Sequence, residues 1–439
     1  MSAAERTVGK IAGQSSPEWF VYVVFFTMAL LPRMAYLILL APPFEGYYWD
    51  KVADTLLSYG VLGIDGVKTT SFEPLYPVFL SFARTLSGDN VRIIQTLQAV
   101  IDSIGVLYLY HLAKCLGGRQ GIAVLSATLY SVYPLLIRHA VNGAGFSLVS
   151  TLLIIFADTF VTATNPRRAA AAGMWLGLAI LTRSMILPAL GLTSALLIIE
   201  GRKKIALVYA MTAIMVVSPW LVRNYLVNGA ILPARSGENF FAGNSKYTAA
   251  ILPDYNIDLL ADYARSVIAQ ERPELAGPTH EKELDRAYTT MALDEMRARP
   301  LQAIKLKFLN FVYFFWPRLV PSHVMTPDTQ AIFGADGRVR VTNSPRRPLH
   351  EDLAYSVSYG VVAVAALVGM WMRRFDMKRD AVLWCILITF VAIHTIYFPA
   401  THYRVPMEFV LLFYAAAGLD CWFGPVSGSF AQKIDRGRS

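Results

Sequence analysis

The sequence predicts an all-α polytopic membrane protein with about ten transmembrane helices. Three observations predict it. The 439-residue chain is 55% hydrophobic and 16% charged, too little charge to cover a soluble domain of that size. Apolar stretches near the length of a bilayer crossing recur along it. Basic residues gather between those stretches, and with ten spans every cluster falls on one side. Composition thus excludes a soluble enzyme, a disordered chain and a collagen-like fibre. The net charge of +9 reads as basic membrane-flanking loops, with no nucleic acid as partner. Cys115, Cys385 and Cys421 are too few and too scattered for a disulfide framework or a metal cluster, and they read as reduced and structural.

The spans run Trp19–Ala41, Val91–Leu116, Gly121–Ile137, Phe146–Ala163, Ala169–Leu181, Ile186–Ile199, Ile205–Val227, Leu353–Met372, Val382–Phe398 and Val405–Phe423. The first is too long, and lacks the small-residue exit, for a cleaved signal peptide. The clusters lie at Arg6 and Lys10, Lys114 and Arg119, Arg167 and Arg168, Arg202 to Lys204, Arg373 to Arg379, and Lys433 to Arg438. The positive-inside rule makes that side, and both termini, cytoplasmic. A multi-pass protein of the cell (inner) membrane follows. Leu301–Trp316 is apolar but carries two lysines and ends at Pro317, so it reads as an interfacial helix, aromatics down and lysines up. Residues 1–227 form an N-terminal membrane module, 228–352 an extracytoplasmic region, and 353–439 the last spans with a basic tail.

Two long connections, 42–90 and 228–352, fall on the outer side, where function tends to sit. In the first, Gly46–Tyr59 has helical apolar spacing, a glycine-rich turn follows, and Pro74–Leu86 is a second helix too short to span. Its acids include Glu45, Asp50 and Glu73. A carboxylate partly removed from water gains proton affinity, which suits a base acting on a hydroxyl. In the second, Glu281–Arg299 mixes both charges and reads as a solvated helix. Gly237–Asn244 reads equally as a turn approaching a sugar or as a tight turn only. Phe333–Arg347 reads as a loop.

Six elements carry a resemblance. Glu45, Trp49, Ala53, Leu57 and Gly60 stand in one spacing, and Pro74-Leu75-Tyr76-Pro77 follows. Gly177, Arg183 and Pro188 come next, then Pro219, Trp220, Arg223 and Asn224. Gly237, Asn239, Gly243 and Asn244 follow, and Tyr403, Arg404 and Pro406 close the series. In this order they resemble the GT-C glycosyltransferases, in the branch of the lipid A aminoarabinose transferases, the protein O-mannosyltransferases and the bacterial core-sugar transferases. The resemblance covers roughly residues 20–425. It implies a transferase with its active site at the outer membrane surface, a polyprenyl-phosphate sugar as donor, and a lipid, glycan or protein as acceptor. Two departures stand out: Glu45 occupies the place of a usual Asp, and the stretch Asn142 to Ser147 lacks an acid common in relatives.

On this reading Glu45 is the expected base, with Asp50 as its rival and Glu73 as a partner. Arg404, Arg223, Lys68 and Arg183 are the expected phosphate ligands, arginine being suited to bidentate contact. Trp49, His402, Tyr403, Asn239 and Asn244 are expected to line the substrate. Among the 7 histidines no pair has helical metal-ligand spacing, so no cofactor is required, and a divalent metal stays open. The competing readings are a transporter or lipid flippase, for which Asp102 and Asp158 are intramembrane acids, and a glycan polymerase or ligase.

Overall fold

The structure is a computed structural model that describes residues 18–43, 48–88, 90–275 and 280–422. The membrane-type helices are α1 (Glu18–Leu39), α4 (Val91–Gly117), α5 (Gln120–Val132), α6 (Pro134–Ala140), α7 (Phe146–Val161), α8 (Pro166–Thr182), α9 (Leu187–Ile199), α10 (Lys203–Asn228), α16 (Leu349–Met372), α17 (Ala381–Ile396) and α19 (Glu408–Trp422). The first outer segment holds α2 (Tyr48–Tyr59), strands β1 (Gly63–Ile64) and β2 (Val67–Lys68), and α3 (Leu75–Ser87). The second holds α11 (Ser236–Ala242), α12 (Thr248–Ile251), α13 (Asp258–Glu271), α14 (Glu281–Ala298), α15 (Pro300–Phe314), β3 (Gln330–Phe333) and β4 (Val339–Thr342), and a short α18 (Thr401–Arg404) precedes the last helix.

A helix occupies each of the ten apolar stretches. Four of them, α1, α4, α10 and α16, are long and apolar enough to cross a bilayer, and the α5–α6 pair, bent by 56°, would make a fifth. Pro134 causes the bend, because it holds Tyr133 in extended backbone and ends α5 there. The remaining apolar helices are shorter. α7 is buried on nearly every face and forms the bundle centre. α10 instead exposes Leu207, Met211, Met215, Val222 and Leu226 along one stripe, a surface suited to acyl chains.

Two devices hold the bundle. Arg33 of α1 is fully buried and donates through Nε to Asp102 of α4 at 2.6 Å, while Tyr130 of α5 donates to the same carboxylate at 3.0 Å. Asp102, expected as an intramembrane acid, is thus consumed in a three-helix tie. α16 and α19 meet at glycines: a Cβ on Gly369 would lie 1.8 Å from the Tyr414 carbonyl oxygen, so only glycine lets the backbones approach.

Of the basic clusters, those at Lys114 and Arg119 and at Arg373 to Arg379 meet at one end of this bundle, while Arg6, Lys10 and the cluster from Lys433 lie outside the described residues. Lys114 pairs with Glu18, Arg119 with Asp420, and Arg373 and Arg379 reach the carbonyls of Leu116 and Cys115. The outer segments cover the opposite end, where Arg92 binds the carbonyls of Leu37 and Ala41, and Asn244 that of Ile396.

The outer segments differ from expectation in three places. The glycine-rich turn is a small hairpin, in which Asp65 (φ 51°) and Gly66 (φ 82°) supply the left-handed pair of a two-residue turn. Residues 330–342 form a second hairpin, whose Ala331, Phe333, Val339 and Val341 pack on a small apolar core. In α15 the lysines do not share one outward face. Lys307 donates to the Ile396 carbonyl, and Asn310 reaches Thr395 and Tyr397, so this face caps the end of α17. Leu301, Ile304 and Phe308 remain exposed on the other side.

Candidate functional site

The site is built on α2. Its Trp49 packs edge-on against Tyr76 of α3 and Phe72, and Tyr48 stacks on Phe72 with centroids 5.8 Å apart. Two guanidinium groups sit over these rings. Arg183, at the C-terminus of α8, lies 4.5 Å from the Trp49 centroid and 5.2 Å from that of Phe146. Arg235 lies 4.8 Å from Tyr48 and 5.6 Å from Phe72. Cations over aromatic faces are held without their hydrogen-bond donors being used. Arg183 spends one donor on the Ala144 carbonyl at 2.7 Å and makes no ion pair among the described residues. Arg235 is paired with Glu238 at 2.9 Å, a buried carboxylate that Arg265 holds from the other side at 2.8 Å.

The walls come from α6, α7, α13 and α18. The half-buried His402 lies 5.6 Å from Phe146 and 6.4 Å from His139, centroid to centroid. Desolvation first, and then the Arg183 charge, push its imidazole down to about 3, so it is neutral at ordinary pH. The Tyr403 hydroxyl is pushed up, first by desolvation and then by Asp258, eased by Arg183 and Arg235 and raised again by Glu73. These five groups therefore share one electrostatic neighbourhood. The Asp258 carboxyl is itself raised by desolvation and eased by the Arg235 charge.

Of the expected carboxylates, Glu45 lies outside the described residues. Asp50 is 5% exposed and accepts from Arg84 of α3 at 2.9 Å, which joins α2 to α3. Glu73 accepts from both the backbone N–H (2.8 Å) and the hydroxyl (2.6 Å) of Ser184 through Oε1, capping the turn that begins α9, and its Oε2 takes no hydrogen bond among the described residues. Trp49, Arg183, His402 and Tyr403 come together as one cluster.

Others do not join it. Arg404, expected at the outer surface, is 1% exposed inside the bundle. It pairs with Glu408 at 2.8 Å, donates to the Phe314 carbonyl at 2.8 Å and to the Tyr355 hydroxyl, and stacks on Tyr359 at 3.7 Å. Three of its five N–H donors are spent on protein, and its burial keeps the rest away from the outer surface. Arg223 donates at 2.5 Å to the carbonyls of Thr69 and Leu62, so it clamps the first outer segment onto α10. Lys68 is exposed on β2. Asn244 is a tie, bound to Phe240 and Ile396 carbonyls, and Asn239 is half-buried on α11. The glycines of that element serve packing: a Cβ would come within 2.0 Å of the Asp285 carbonyl oxygen at Gly237, or of the Tyr397 carbonyl oxygen at Gly243.

Sequence reasoning missed two residues. Arg235 sits outside any periodic stretch, and only its place over Tyr48 and Phe72 marks it. Glu281 opens a helix that reads as solvated, yet it accepts from Thr69, the Thr70 backbone and hydroxyl (both 2.8 Å) and Ser71 (3.1 Å), fastening the first outer segment to the second. Along α14, Glu281, Asp285, Tyr288 and Ala292 form one inward stripe at helical spacing. Among the described residues, no three metal-ligating side chains converge in this outer cluster.

A family model described as dolichyl-phosphate-mannose-protein mannosyltransferase matches residues 71–222. No curated protein matches the sequence. The fold is similar to that of the oligosaccharyltransferase AglB from Archaeoglobus fulgidus, solved with an inhibitory peptide and a dolichol-phosphate, at TM-score 0.50 and 12% identity, covering 96% of this chain and 52% of that one. The chain thus spans about half the length of that relative. ArnT from Cupriavidus metallidurans in the apo state aligns at TM-score 0.40 and 14% identity, covering 92% and 78% of the two chains. The family match thus covers about a third of the chain, and the fold over nearly the whole chain is similar to that of a membrane oligosaccharyltransferase.

Proposed function

We propose that the protein transfers a sugar from a polyprenyl-phosphate carrier to a hydroxyl of an envelope lipid, glycan or protein, at the extracytoplasmic face of the inner membrane and with inversion at the anomeric carbon. The observation that carries this reading is Arg183, a half-buried cation held over two rings with one side-chain hydrogen bond among the described residues. Such a group is prepared for an anionic oxygen that arrives with the substrate. Basic residues at the opposite end of the bundle support, on the positive-inside rule, an extracytoplasmic Arg183 end, and the proposed topology has ten crossings with both termini inside. AglB, of similar fold, holds a dolichol-phosphate.

In the reaction the acceptor oxygen attacks the anomeric carbon. The bond from that carbon to the phosphate oxygen breaks, and its electron pair leaves with the polyprenyl phosphate. Arg183 neutralises the departing charge. Glu45 takes the acceptor proton, and Glu73, with Oε2 still open, orients the sugar or acceptor hydroxyl. Neutral His402 and Tyr403 line the sugar.

The test is transfer by the purified protein in detergent from a radiolabelled polyprenyl-phosphate sugar. The expected result is release of polyprenyl phosphate and labelled product without any sealed membrane, and its loss in Glu45→Gln with donor binding kept. Undiminished transfer by Glu45→Gln overturns its role and moves the base to Glu73. Binding without turnover by the wild type, over a range of acceptors, sinks the transferase reading. Of the two intramembrane acids that favour a transporter, Asp102 already pairs with Arg33.

A further inference from the structure

At the basic end of the bundle, far from Arg183 along the helices, three ligand-type side chains converge that the transfer reaction does not use. His111 and Cys115 stand four residues apart on α4, so they share one face of the helix. Asp158, near the end of α7, reaches His111 Nδ1 at 2.6 Å. The Cys115 Sγ lies 3.9 Å from His111 Nε2 and 4.0 Å from its Nδ1. One donor atom from each residue falls within 4.8 Å of the other two. Cys115 also lines a cavity of about 440 Å³ bounded by Thr162, Glu200, Arg202, Lys378 and Arg379.

We propose that His111, Cys115 and Asp158 form a site for a borderline-soft divalent ion of the Zn2+ class, with its fourth position open to this cavity. The donor set is imidazole nitrogen, thiolate sulfur and carboxylate oxygen, the mixture such ions take in tetrahedral geometry. Zinc bonds of about 2.0 to 2.3 Å place neighbouring ligand atoms about 3.3 to 3.6 Å apart. The His–Asp contact must open slightly and the Cys–His distance close slightly, and side-chain rotation covers both. Charge also fits. A thiolate and a carboxylate sum to the opposite of the ion's charge, so the occupied site is neutral, which suits the edge of a bilayer core. Arg202, Lys378 and Arg379 in the cavity that Cys115 lines, against the one acid Glu200, favour an anion or hydroxide there over a second cation. His111 is half exposed (43%), which gives the ion a way in. Asp158, expected as an intramembrane acid, acquires a use at this end.

The experiment uses the full chain in detergent with Co2+ as probe. The expected result is one Co2+ per chain with a thiolate-to-cobalt charge-transfer band. That band vanishes in Cys115→Ser, while His111→Ala and Asp158→Asn weaken Co2+ binding by about tenfold or more. Zn2+ should displace the cobalt and erase the band. The double variant Cys385→Ser/Cys421→Ser leaves Cys115 as the one thiol, so it must keep the band even if Cys115→Ser fails to fold. Absence of the band in the wild type, its persistence in Cys115→Ser, or its loss in the double variant overturns the site. Sugar transfer does not enter this readout, so failure here leaves the transferase reading standing.

Discussion

Replacing Arg183 with Gln separates its two roles, because their magnitudes differ. In the folded protein the residue contributes one hydrogen bond to the Ala144 carbonyl and two ring contacts. Losing these costs about 1–3 kcal/mol of stability. In the proposed transfer step it would face the phosphate charge that develops as the glycosidic bond breaks. Removing one such donor costs about 2.7–4 kcal/mol of barrier, or about 10²–10³ in kcat. Arg235 cannot take over, since Glu238 already neutralises it at 2.9 Å. Arg183→Lys keeps the charge but loses the planar fork and falls between the two. The assay is initial rate at saturating donor, with thermal unfolding followed on the same detergent samples. A Gln variant that keeps kcat within about threefold of wild type refutes the phosphate role, whatever its stability.

Four further outcomes follow from the packing. Glu281→Ala should lower stability by about 2–4 kcal/mol through its lost acceptor oxygens, and limited proteolysis should cut faster near Thr69–Ser71. Asp102→Ala strands a buried guanidinium and should cost about 3–5 kcal/mol in thermal unfolding, most of it regained in Arg33→Met/Asp102→Leu. Gly369→Val drives a side chain into the Tyr414 carbonyl and should lower yield and melting temperature, whereas Gly191→Ala, with nothing near its Cβ, should be neutral. His402, pushed down to about 3, binds its proton in the unfolded chain from about pH 6.5 downward but not in the folded one. Its contribution is therefore intact above pH 6.5 and is lost as pH falls toward 3, so His402→Gln should flatten the acid limb of a stability–pH curve.

Hydropathy located the helices because burial and lipid contact both select apolar residues, and neither depends on knowing the neighbours. That Trp49 and Arg183 come together was legible because each stands in a motif, and the structure places one over the other. Arg404 and Glu408 stand at i and i+4 on adjoining helical turns, so their pairing was readable, but the motif drew attention to the arginine and away from its partner. Arg223 could not be read, since its partners are backbone carbonyls about 150–160 residues earlier and carbonyls carry no sequence signal. The same holds for Glu281, whose partners at 69–71 are hydroxyls and an amide brought near by the bundle. Charge patterning along α14 suggested solvent on all sides, yet one stripe of it faces protein.

The clasp formed by Glu281 has a bearing on how such enzymes diverge. Because it grips Thr69 to Ser71 while Arg223 of α10 grips Leu62 and Thr69, the first outer segment is fastened both to the second and to the bundle at one short stretch. A relative that lengthens the second segment to suit a new acceptor would drag on the β1–β2 hairpin and on the aromatic floor beneath Arg183. Under the proposed function, acceptor choice and donor handling are then inherited together, and grafting one segment between relatives should fail unless its counterpart travels with it.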